Sequence, residues 1–376
     1  MMTTSNRCVR CDCPIDGSND SEEHVIQNSV GGRLKVRGFI CRGCNNRTGE
    51  TWDAVFAEQT NFFCHFFGVV RERGEPPPQP IVTTAGEQLL MQPGGGFKMQ
   101  NPVFKEIPTE GGKQVQIKAR DRREATTMLE GLARKYPKVD VAAEMAKATA
   151  DHTYPEGVMR LDIHFGGPSA GRSVVKTATA FAFHCGVPIE QCDLAVAYLR
   201  DEVAEPAFGD YFERDLVTGR PVGVPIHCVA VTGDPETGML LGYVEFFGVQ
   251  RVVVCLSQSY AGPLLARAYG LDPTTGKMMP LQVELAFSAT DVKAIYNYER
   301  VPDGSRERAF DAVVPTAMKR NFDRAIAHES ARATQYAFEN CGAKPGDKIT
   351  PELAKKIAEL ATERMMPFIQ RHARRR

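Results

Sequence analysis

The residues with evident chemistry crowd into one N-terminal stretch. Cys8-Val9-Arg10-Cys11 and Cys41-Arg42-Gly43-Cys44 are two Cys-x-x-Cys pairs. Two intervening residues let both sulfurs of a pair turn to one centre, so the pairs can jointly hold a tetrahedral Zn²⁺ ion. Cys13 lies close by and can compete as a ligand, although its spacing from Cys11 is poorer. Between the pairs stand Glu23-His24-Val25-Ile26 and Gly31-Gly32, and Asn45-Asn46 follow directly. A histidine beside a carboxylate, with an amide further on, is what metal-assisted hydrolysis of a phosphodiester requires. An imidazole with a pKa of about 6.5 accepts a proton from water near neutrality. Oxygen ligands hold a hard cation that compensates charge on the leaving group. Thiolates favour zinc where carboxylate and amide oxygens favour Mg²⁺ or Mn²⁺, so two metals with different roles are expected.

The string Glu23-His24-Val25-Ile26, Gly31-Gly32-Arg33, Cys41-x-x-Cys44-Asn45-Asn46 resembles the HNH endonuclease family, the ββα-metal nucleases, and most closely the branch braced by two zinc-knuckle pairs. The specific match covers roughly residues 8–53. The resemblance implies a β-hairpin from about His24 to Ile40 and a helix from near Asn45, with one divalent ion between them. It implies that His24 is the general base, that Glu23 ligates the metal, and that Asn45 is a second ligand, with Asn46 its competitor under a one-residue shift. The middle Asn of the family pattern would fall near Arg37-Gly38, where none stands; Asn28 is the substitute available in the loop. Gln27 replaces a frequent Pro. Asp53 lies eight positions past Asn45, about 12 Å further along a continuous helix, which suits a supporting role better than direct ligation.

Arg33, Lys35, Arg37, Arg42 and Arg47 crowd around these residues. They suit phosphate contacts, which position nucleic acid without reading its sequence; a solvated surface is the plain alternative for each. The expected partner is nucleic acid, double-stranded DNA foremost. A module with one active site nicks one strand, so a double-strand cut would need a homodimer or two encounters. The alternative reading is a zinc-containing nucleic-acid-binding or regulatory protein without catalysis.

The elements that must carry this module are read from the rest of the 376 residues, 43% of them hydrophobic. The expected fold class is α+β: an N-terminal zinc-braced module over 1–60, an apolar helix end and Pro-rich connection over 61–80, a mixed body with an antiparallel sheet over 81–310, and a helical C-terminus over 311–376. The less specific resemblance of this body is to the α+β part of uncharacterised bacterial and phage proteins carrying such modules; it names no function, and a role in defence against foreign DNA follows only by association. Trp52–Val70 reads as a helix whose Phe62-Phe63 and Phe66-Phe67 must pack on something, so the module is expected to dock on the body. Pro76-Pro77-Pro78 ends that helix. Arg122–Tyr136 is amphipathic, and Val158–Phe165 alternates as a strand would. A helical pair is expected over 173–184 and 188–200. Ile226–Val231, Met239–Phe247 and Arg251–Ser257 read as an antiparallel meander, with Leu281–Phe287 a further strand. His227 has no acid or nucleophile to pair with and reads as structural. Thr316–Asn340 and the segment after Thr350-Pro351 read as helices, followed by a basic tail, Arg371 to Arg376.

Forty-six Lys and Arg balance forty-six Asp and Glu, which argues against a histone-like binder but leaves local basic patches open. No secretory signal or membrane span is expected. Four of the eleven cysteines pair as knuckles, and others, such as Cys185, Cys192 and Cys255, sit in apolar runs. That pattern suits reduced thiols in the cytoplasm.

Overall fold

The structure is a computed structural model that describes residues 6–110, 112–150, 153–344 and 346–373; Arg374, Arg375 and Arg376 of the basic tail lie outside them. The N-terminal part is a hairpin of β1 (Glu23–His24) and β2 (Lys35–Val36) followed by α1 (Arg42–Glu50) and α2 (Trp52–Phe67). Both strands are shorter than the expected hairpin, because a 3₁₀ turn at Asn28–Val30 and the Gly31-Gly32 bend fill the space between them. Gly31 holds φ +91°, and a Cβ on Gly32 would lie 1.6 Å from the Ile26 carbonyl oxygen. Only glycine fits that bend. The helix expected from Asn45 begins three residues earlier, with Cys41 as its N-cap.

Strands β3 (Gln79–Thr83), β4 (Gln88–Met91) and β5 (Phe97–Met99) and the hairpin of β6 (Val103–Thr109) and β7 (Gly112–Lys118) come next. They are followed by helices α3 (Arg122–Lys135) and α4 (Val141–Ala146). Of Val158–Phe165 only Met159–Arg160 forms a strand (β8), pairing with β3 at the sheet edge. The helical pair is α5 (Pro168–His184) and α6 (Asp193–Arg200); Pro188 leads into a 3₁₀ turn, so α6 starts later than its apolar pattern suggested.

The central sheet runs β15-β14-β11-β12-β13-β9 and is antiparallel throughout. Its strands are β9 (Phe208–Asp210), β11 (His227–Asp234), β12 (Met239–Phe246), β13 (Gln250–Ser257), β14 (Leu265–Asp272) and β15 (Lys277–Met279), with β10 (Val217–Thr218) paired separately to β16 (Gln282–Val283). Leu281–Phe287 thus yields a two-residue strand. Along β11, Val229 and Val231 join one core, and Cys228 and Ala230 the other. This period of two with both faces covered explains why the strands read as continuous apolar runs. Helix α7 (Ala289–Tyr296) covers one face; α5 and α6 cover the other. A Cβ on Gly242 of β12 would press to 2.9 Å from the Ala178 methyl, so glycine there lets α5 lie close. Helices α8 (Ser305–Asp311), α9 (Val314–Asn340) and α10 (Pro351–Ala373) complete the chain.

The N-terminal part shares the first core. Phe56 packs on Phe246 at 4.6 Å between centroids, and Phe63 and Phe67 stack on Phe247 at 5.5 Å each. Burying each such side chain contributes about 2 kcal/mol. Among the described residues no helix is long and apolar enough to cross a membrane.

Candidate active site

The thiols come from a tight loop and a helix start. Cys8 N donates to Cys13 O and Val9 N to Phe39 O, which folds the first pair against the end of the hairpin. Cys41, at the N-cap of α1, donates its amide to Cys8 Sγ at 3.4 Å. The sulfurs of Cys8, Cys11, Cys13 and Cys41 all lie within 4.8 Å of one another, with Cys11 3.4 Å from Cys13 and 3.8 Å from Cys41. Four sulfurs about 2.3 Å from a zinc ion stand about 3.8 Å apart, so the cluster fits Zn²⁺. Cys44 is buried beside it, within hydrogen-bonding reach of Cys11. Five thiols therefore share one centre, and the tight set contains Cys13 where spacing had pointed to Cys44. Arg200 of α6 clamps the loop from the body, donating Nε to Val9 O at 2.9 Å and Nη2 to Asp12 Oδ1 at 2.9 Å.

His24 closes β1, opposite Lys35. Its Nε2 lies 3.0 Å from Glu72 Oε2, and Lys35 Nζ is 2.9 Å from Glu72 Oε1. Hydrogen bonds from His24 and Lys35 draw the Glu72 carboxyl down to about 2. With Nε2 donating to a carboxylate, Nδ1 is left as the nitrogen that accepts a proton. Asn28 secures this arrangement: its Oδ1 accepts from the amides of Glu72 at 3.0 Å and Arg73 at 3.3 Å, and its Nδ2 donates to Arg73 O. Asn28 acts on His24 through the strap that carries Glu72.

Glu23 points the other way along β1, into a buried cluster. Lys176 of α5, 1% exposed, reaches Glu23 Oε1 at 2.7 Å and Asp53 Oδ2 at 2.5 Å. Ser173 Oγ donates to Asp53 Oδ1 at 2.5 Å, and Gln27 Nε2 donates to Ser173 Oγ at 2.7 Å and Thr177 Oγ1 at 3.2 Å. Burial raises the Glu23 carboxyl above the usual range against the pull of Lys176, with Asp53 adding to the rise. Burial alone would lower Lys176, but Glu23 and Asp53 together raise it, so it stays an ammonium.

A cavity of about 310 Å³ opens over these groups, lined by Glu23, His24, Asn28, Asn45, Gly49 and Asp53 among others. Asn45 faces it and donates Nδ2 to Ser21 Oγ at 3.2 Å, which leaves its carbonyl oxygen as the atom suited to a cation. Asn46 is exposed and is not part of the lining. Asp53 reaches the same cavity because the chain breaks at Thr51 (φ −114°, ψ −77°) and starts α2 in a new direction; the 12 Å separation holds only for a continuous helix. Two carboxylates against one ammonium leave a net negative charge, and carboxylate and amide oxygens are the donors a hard divalent ion prefers. The donor set fits such an ion. Lys176 Nζ already holds Glu23 Oε1, so a second oxygen or an exchange of partner would serve the metal.

Lys176, Ser173 and Glu72 belong to no motif in the sequence. Lys176 interrupts the apolar run Val174-Val175-Lys176-Thr177-Ala178, and a lone charge inside such a run was the available sign. Nothing local marked Glu72. The basic residues divide. Lys35 pairs with Glu22 and Glu72, and Arg37 with Asp20 and Glu22. Arg33 and Arg42 donate to the carbonyls of Val70 and Asp20. Arg47 has no carboxylate partner among the described residues. His227 is structural: Phe247 N donates to its Nδ1 at 3.0 Å, and its Nε2 donates to Val30 O at 2.9 Å, tying the body to the hairpin.

Residues 8–61 match the model of the HNH endonuclease family. No curated protein and no solved structure gives a significant match to the chain. The stretch is an HNH endonuclease domain, which points to nuclease activity in general, and its thiol cluster fits a zinc-braced module.

Proposed function

We propose that the chain is a metal-dependent endonuclease that hydrolyses phosphodiester bonds in double-stranded DNA, nicking one strand at each active site. The observation that carries this reading is the convergence on one cavity of His24, backed by Glu72, with Glu23, Asn45 and Asp53. Glu23 and Asn45 would hold a Mg²⁺ or Mn²⁺ ion, which when bound supplies charge compensation for the phosphate and leaving oxygen. His24 Nδ1 takes the proton of the attacking water, and Glu72 stabilises the imidazolium that forms. Lys176 and Ser173 fix Asp53 and one oxygen of Glu23, so that the carboxylates need not reorganise as charge develops. Zn²⁺ at the cysteine cluster has a structural role. None of the eleven cysteines is in a disulfide, which suits a reducing cytoplasm, and a double-strand cut would need two copies.

A zinc-containing binder without cleavage is the second reading, favoured by Lys176 holding the Glu23 oxygen that an ion could use. An end-labelled DNA duplex and an RNA duplex of the same sequence, each incubated with Mn²⁺, separate the two. The proposal expects scission of the DNA alone. Binding of both without scission supports the second reading, and scission of RNA alone overturns the choice of substrate.

A further inference from the structure

We propose that the cleft between the first thiol loop, the α1–α2 turn and the first turn of α5 is an anion site that grips a backbone phosphate of the nucleic acid outside the catalytic cavity. This rests on the endonuclease reading and deepens it. The cleft, about 380 Å³, is lined by Arg10, Arg47, Trp52, Pro168, Ser169 and Arg172, with Thr51 and Glu202 also at its wall.

Three arginines line it, and none is ion-paired with a carboxylate among the described residues, Glu202 included. Neutral groups hold two of them. Arg10 stacks over Trp52 at 5.2 Å from the ring centroid, and Arg172 over Tyr198 at 4.6 Å. Arg172 Nη1 and Nη2 donate to the carbonyls of Pro168 at 3.3 Å and Asp201 at 3.0 Å. Such partners fix a guanidinium without cancelling its charge. Arg172 is 4% exposed, and its buried Nε has no acceptor. Like charges gathered in one cleft repel, and an anion relieves that repulsion. The basic residues of the hairpin differ, since Lys35 and Arg37 are already neutralised by Glu22, Glu72 and Asp20.

Helix α5 adds to the field. Pro168 has no N–H, and the first-turn amides of Ser169 and Ala170 have no carbonyl to bond within the helix, so its positive end meets the same cleft. The cleft lies across the α1–α2 corner from the catalytic cavity. Gly49 and Asp53 line that cavity, while Arg47, Thr51 and Trp52 of the same α1–α2 corner line the cleft.

The test compares wild type with Arg47→Gln and Arg10→Gln, singly and together, at surface positions where folding is checked by thermal unfolding. A fluorescent DNA oligonucleotide is titrated in buffer without added divalent ions, so that no cleavage is needed, at several salt concentrations and with and without a 5′-phosphate. Inorganic phosphate is titrated separately against thermal unfolding. The double variant is expected to bind the oligonucleotide about tenfold more weakly, with a salt slope shallower by about two, and to lose the stabilisation that phosphate gives wild type. Unchanged affinity and slope would overturn the site, as would a wild type that binds neither oligonucleotide nor phosphate. Binding that depends wholly on a 5′-phosphate would overturn the backbone assignment in favour of chain ends. Protein that cleaves DNA yet passes the arginine substitutions unaffected sinks this site alone; arginine-dependent binding without cleavage sinks the nuclease reading alone.

Discussion

His24 and Glu72 are hydrogen-bonded, brought together by a strap rather than by a local motif, and in the proposed reaction they are the base and its orienting carboxylate. Glu72→Gln keeps a hydrogen-bonding side chain but removes the charge that stabilises the imidazolium. Cleavage is expected to fall by on the order of 10²-fold or more, with unfolding transitions unchanged; equal activity at every pH would show that Glu72 plays no part. The thiols pose a second question at this scale, because Cys13 and Cys44 both reach the centre. Cys8→Ser or Cys41→Ser should release zinc and unfold the N-terminal part, since structural zinc contributes folding free energy outright. Of Cys13→Ser and Cys44→Ser, the one that lowers zinc content and thermal stability identifies the fourth ligand; loss of zinc from neither would mean that the two substitute for each other. His24, Glu23, the thiols and Asn45 stand out in the sequence as candidates because their chemistry lies in adjacent residues or short spacings. Lys176 does not, because it enters from α5, distant in sequence, where periodicity shows only an apolar helix.

Helix α5 is the element on which the site depends. It lies on Gly242 of β12 and delivers Lys176 and Ser173 to carboxylates on β1 and α2. Lys176→Met would leave buried carboxylates without their counter-charge, a loss of about 3–5 kcal/mol readable by urea unfolding. A loss below 1 kcal/mol, or an unaltered midpoint, would contradict the buried cluster. His227 links β11 to the hairpin through Val30. Burial pulls its imidazole down to about 4, against about 6.5 in an unfolded chain. Because the folded value is the lower one, stability is full above about pH 6.5, declines as the unfolded chain protonates, and levels off below about 4. Wild type should lose about 2 kcal/mol more between pH 7 and pH 5 than His227→Gln; parallel pH curves would refute the strut. The long strands β11, β12 and β13 were readable as apolar runs separated by short turns. The two-residue strands β8 and β16 fell short of their apolar runs because their pairing is set by the partner strand and not by their own pattern.

Across the whole molecule, one core joins the zinc-braced part to the sheet through Phe56, Phe63 and Phe67. The mixed α+β class, the antiparallel meander and the helical C-terminus were legible from hydrophobic period and from proline and glycine positions. The completion of the site by the body was not, since two-fold and 3.6-fold patterns report which face is buried and say nothing of what it meets. That joint construction makes the nuclease reading a statement about the full chain. The measurement that tests it most directly is nicking of supercoiled plasmid by full-length protein with Mg²⁺, Mn²⁺ or no divalent ion, beside His24→Ala of equal thermal stability and zinc content. The account predicts conversion to open circles by wild type with a divalent ion only, and none by His24→Ala. Equal nicking by both proteins, or none by wild type with either ion, would contradict it.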